Sequence, residues 1–162
     1  MNWDTLFSFE EENETIKLAY YVIDYCKKHN LELTNLKLQK LLYFINIEYL
    51  KSTAGQPIFA EEFLAWRHGP VLQSAYNFFK IGIVETTPEK MNIIKTNYDV
   101  ATRNIIDSVL KKKAKMNAWD LVNETHQDNS PWCVIFHKGL VNNNTSFNRI
   151  PHELIYTFYK NN

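Results

Sequence analysis

What this 162-residue chain has little of narrows the reading first. Its two cysteines, Cys26 and Cys133, are too few for a secreted disulfide framework. A fold held by its own core, in a reducing cytosol, is therefore expected. Only 4 glycines and 5 prolines occur, which excludes collagen-like and low-complexity chains. Neither sign of charge is in excess: 18 Lys and Arg residues offset 18 Asp and Glu residues, so no global field steers the protein onto nucleic acid or anionic lipid. No apolar run approaches the roughly 20 residues that span a bilayer. The opening MNWDTLFSFEEENE lacks the basic and apolar regions of a secretory signal, so a cytoplasmic location is expected. Also missing are a phosphate-cradling glycine loop, an H-E-x-x-H pair, a nucleophile elbow and spaced zinc cysteines. No enzyme activity, cofactor or metal is expected.

What is present is apolar and aromatic. Hydrophobic residues make up 45% of the chain and aromatics 14%, and a chain of this length buries about 70% of its unfolded surface. The pattern predicts a mainly α protein, a single compact domain over residues 1–162 with about six or seven helices and a small β-hairpin; residues 1–13 read as a loosely docked entry segment. Ile16, Ala19, Tyr20, Ile23 and Cys26 recur at helical spacing between Glu14 and His29, and Asn30 is the expected stop. Thr34 or Asn35 caps a central helix whose apolar face holds Leu38, Leu41, Leu42, Ile45 and Tyr49. The hairpin is expected over Ile58 to Trp66, with its turn at Glu61 and Glu62. Gly69 and Pro70 are expected to open a third helix, Pro suiting the first helical position. Residues 81–97 read as a loop with a short strand near Met91 to Ile94. Further helices are expected after Asp99 and Asn117, from Pro131 to Gly139, and from Pro151 onward.

Three segments carry a family resemblance. They are LTNLKLQKLLYFINIEYL (Leu33 to Leu50), FAEEFLAWRHGPVLQSAYNFFK (Phe59 to Lys80) and ETHQDNSPW (Glu124 to Trp132). In this order and spacing the chain resembles the Panacea domain, the SocA-like antitoxin family also known as phage-associated proteins. The resemblance implies a helical antitoxin that neutralises a cognate toxin, encoded nearby, by direct protein contact. One branch of the family is similar to an adaptor that hands its toxin to an AAA+ protease. No recognisable DNA-binding domain is appended, which counts against transcriptional autoregulation.

The candidate site residues each have two readings. Lys37, Lys40 and Tyr43 follow one another at spacings of three, so their polar tips are expected along one side of the central helix as a binding strip; alternatively the lysines only solvate an exposed side. Trp66, Arg67, His68, Gly69 and Pro70 form an elbow where an extended segment turns, able to receive a carboxylate from a partner or from Glu61 or Glu62. The competing reading makes Gly69 and Pro70 turn chemistry and Trp66 core. Tyr43, Trp66, Tyr76 and Trp132 are candidate aromatic anchors for a partner. His126, Pro131 and Trp132 surround a helix start, where His126 is expected to fix the local backbone. Cys133 and His137 make half a metal site at most, short of the four ligands that zinc takes. Lys111 to Lys113, with Lys115, would serve a nucleic-acid-binding regulator; the neutral net charge disfavours it, and a solvated helix end explains the run equally.

Overall fold

Six of the helices start where a polar side chain can satisfy the free amides of a first turn or a proline needs none. The computed structural model describes residues 13–82, 84–141 and 148–162. Asn13 accepts from the amides of Thr15 and Ile16 and opens α1, Glu14–Lys28. Thr34 accepts from Lys37 and opens α2, Asn35–Ser52. Asn30 lies between them at φ 56°, the left-handed conformation that asparagine tolerates after a helix, as its reading as a stop requires.

The hairpin sits further along the chain than expected. β1, Phe63–Trp66, pairs antiparallel with β2, Gly69–Val71, and Arg67 and His68 form the turn. Glu61 and Glu62 precede β1. Gly69 and Pro70 therefore open no helix: they are strand residues, and Pro70 is tolerated because β2 is an edge strand that need not donate. The next helix, α3, begins only at Gln73 and runs to Lys80.

Residues 81–97 hold a helix where a loop and strand were expected. The Thr-Thr-Pro sequence is a helix start: Thr87 accepts from the amide of Lys90, Pro88 takes the first position, and α4 runs Pro88–Thr96. Met91 and Ile94, three apart, are its buried apolar residues rather than a strand face. Asp99 caps α5, Val100–Lys113; Asn117 caps α6, Ala118–Thr125; and Ser130 accepts from the amide of Cys133 at the start of α7, Pro131–Val141. A third strand not expected from the sequence, β3, Arg149–Ile150, pairs with the other edge of β1 and leads into α8, His152–Tyr159. The described residues thus form eight helices, slightly more than expected, and a sheet of order β2-β1-β3.

Helix α2 is the axis of this mainly α domain. Leu38, Leu41, Leu42, Tyr43, Ile45 and Leu50 have no exposed surface, because α1, α3, α5, α6, α8 and β2 all pack on it. No helix among the described residues is long and apolar enough to cross a membrane.

Candidate functional site

The elbow is built from three stretches of chain. From α2, the Lys40 side chain runs beneath the hairpin with no exposed surface, and its amine donates to the carbonyl of Pro70 at 2.9 Å. Above it Gly69 has φ +107°. A Cβ there would lie 2.7 Å from Lys40 Cε and 2.9 Å from Thr125 Oγ1, so both the backbone angle and the space require glycine. Thr125 is the last residue of α6 and donates its hydroxyl proton to the carbonyl of Val122. The neighbouring His126 ring stacks on Trp132 with centroids 3.7 Å apart and planes within 1°. Trp132 Nε1 in turn donates to the carbonyl of Trp66 at 2.7 Å, tying the start of α7 to the end of β1. Trp66 meets Tyr76 of α3 edge-on at 5.0 Å.

The electrostatics of this wall are those of cations held in a dry place. Burial alone lowers the Lys40 amine to about 7. Burial, and then the charges of Lys40 and His68, hold His126 below the ordinary histidine value. The buried Nε2 of His126 has no hydrogen-bond partner among the described residues. On the outside of the elbow Arg67 and His68 are exposed, and His68 meets the Trp119 ring edge-on at 5.2 Å. Trp119 is itself 56% exposed, unusual for so large an apolar ring.

A match to known proteins covers this region. The sequence fits the family described as Antitoxin SocA-like, Panacea domain, over residues 38–133, more than half of the chain. This chain belongs to the Panacea family. One curated relative, "Antitoxin SocA" of Caulobacter vibrioides (strain NA1000 / CB15N), is 30% identical over 128 residues, which is 73% of this chain and 68% of the relative. No solved structure matches.

Within the Panacea segment the three motifs that are far apart in sequence meet: Lys40 from the first, Trp66, Gly69 and Pro70 from the second, His126, Pro131 and Trp132 from the third. The expected strip of Lys37, Lys40 and Tyr43 does not emerge on a surface. Lys37 is 7% exposed and donates to the carbonyl of Glu32, and Tyr43 is enclosed by Phe44, Phe63 and Tyr159. Lys40 is covered by the hairpin and Tyr43 by the hairpin and α8, elements whose docking the helical spacing alone does not reveal. Glu61, one of the carboxylates expected at the elbow, is engaged elsewhere: it accepts from the backbone amide of Ser74 at 3.1 Å and from the Ser74 hydroxyl, at the first turn of α3. Three participants gave no sequence signal as site residues. Gln39 accepts from the amide of Leu72, Thr125 packs on Gly69, and Trp119 reads in the sequence as an ordinary helix residue. Cys133 is half-buried and His137 exposed, and no three His, Cys, Asp or Glu residues converge among the described residues.

Proposed function

We propose that this Panacea-family chain is the antitoxin of a toxin–antitoxin pair and neutralises its toxin by direct contact through the outer lip of the elbow, formed by Arg67, His68 and Trp119. The observation that carries this reading is that the family's three separated motifs converge on a single elbow, behind an exposed tryptophan that His68 meets edge-on, with exposed Arg67 next to His68 in the turn. Interfaces concentrate their binding energy in tryptophan, tyrosine and arginine anchors surrounded by less important contacts. The inner wall, made of Lys40, Gly69, Thr125, His126 and Trp132, holds the lip in place and touches no partner. Arg67 and His68 set encounter rate and specificity more than affinity.

The test begins with co-expression of the adjacent open reading frame: that frame alone is toxic, this chain restores growth, and the two products co-purify. Substituting Trp119→Ala together with Arg67→Gln then weakens capture at least tenfold while leaving the melting temperature of the free protein nearly unchanged. Rescue and affinity indifferent to both substitutions place the interface elsewhere, and failure of both rescue and co-purification rejects that pairing.

A further inference from the structure

Away from the elbow residues, α1, α4 and α5 line an open cleft of about 470 Å³, within the range of small-molecule sites. Four cationic side chains line it, Lys28, Lys95, Arg103 and Lys111, against two carboxylates, Asp24 and Asp107. Asp24 is bridged by Lys28 at 3.0 Å and Lys95 at 3.1 Å, so two ammonium groups share one negative charge. Asp107 is held by the Tyr21 hydroxyl, which donates to it at 2.8 Å. Among the described residues, neither Arg103 nor Lys111 forms an ion pair. Among the Lys, Arg, Asp and Glu side chains of the lining, four cations and two anions leave a local surplus of two positive charges in a chain whose net charge is zero. The His29 and Tyr25 rings, which also line the cleft, stack at 4.0 Å and 21°, and His29 Nδ1 donates to the Tyr25 carbonyl.

We propose that this cleft binds a phosphorylated small molecule of mononucleotide size, its phosphate held by Arg103 and Lys111 and its planar part laid against Tyr25 and His29. A phosphate monoester carries close to two negative charges at neutral pH and matches the surplus, and a guanidinium offers paired donors to phosphate oxygens. A nucleic-acid strand fits less well, because the lysine run is divided among different faces of α5. Lys111 faces this cleft, whereas Lys113 pairs with Glu124 and lies 4.2 Å over the Phe44 ring. Lys112 faces the separate groove between α2 and α5. No continuous basic stripe results.

Calorimetric titration of the full chain at low salt with AMP, adenosine, inorganic pyrophosphate and a short single-stranded DNA tests this. Saturable one-to-one binding of AMP is expected, with pyrophosphate competing and adenosine binding at least tenfold more weakly. Arg103→Gln with Lys111→Gln lowers AMP affinity at least tenfold without altering thermal stability. The proposal is overturned by no saturable AMP binding at millimolar concentration, by binding indifferent to the double substitution, by adenosine binding as tightly as AMP, or by DNA outcompeting AMP at equal phosphate.

Discussion

Lys40 holds its amine where a charge is least welcome, with one carbonyl for company and no carboxylate. Its folded pKa, about 7, lies below the value near 10.5 of the unfolded chain, so between these the unfolded state binds more protons and stability rises with pH. Cys26 and the buried tyrosines, whose values burial raises, work in the opposite direction at higher pH. The Lys40 effect is therefore cleanest between about pH 7 and pH 8.5, where its slope approaches at most about 1.4 kcal/mol per pH unit. Urea denaturation of the natural chain over this window is expected to show that rise. Lys40→Met should flatten it, and an unchanged slope in that variant would assign the effect to another group. Gly69 allows a second measurement: Gly69→Ala imposes both a strained φ and a clash with Lys40 and Thr125, and should cost about 2–4 kcal/mol in the same assay. Gly69→Ala combined with Lys40→Met should recover part of the loss, because the clash with Cε is removable by repacking while the strain is not.

Among the elements, α3 lacks a capping side chain of its own, since Leu72 occupies the position before its first residue. Glu61 supplies what Leu72 cannot, and its negative charge also suits the positive end of the helix. Glu61→Ala should therefore destabilise the protein by about 1 kcal/mol, read as a lower melting temperature, with Glu61→Gln retaining part of that contribution. The same elements show where the sequence was legible. Caps at Thr34, Asp99, Asn117 and Ser130 are local chemistry, visible in four residues, and the helices they open lie where expected. Prolines misled because their meaning depends on what surrounds them. Pro88 after Thr87 begins a helix yet reads as a break. Pro70 after Gly69 reads as a helix start, yet belongs to a strand whose edge position only the third dimension reveals. The two-residue strand β3 has too little pattern to detect.

For the molecule as a whole, burial of α2 decides both stability and what the elbow can be. Leu41→Ala should cost about 2–5 kcal/mol in chemical denaturation, as expected for a leucine without exposed surface. A loss below 1 kcal/mol would mean that the neighbouring helices close over the gap. The three motifs named segments that meet at the elbow, but not which of their side chains lie inside it and which outside. Which side of α2 faces water depends on partners 30 to 110 residues away, among them β2, α6 and α8, and helical spacing carries no information about them.

The pairing of Phe63 with Ile150 spans just over half of the chain. During synthesis β1 waits with one edge bare until residues 149–150 have left the ribosome, long after the first two motifs have emerged. A nascent chain therefore holds no finished elbow until translation has passed the third motif, and no finished sheet until the strand beyond it. A message cut short before that strand yields a chain whose β1 lacks its β3 neighbour.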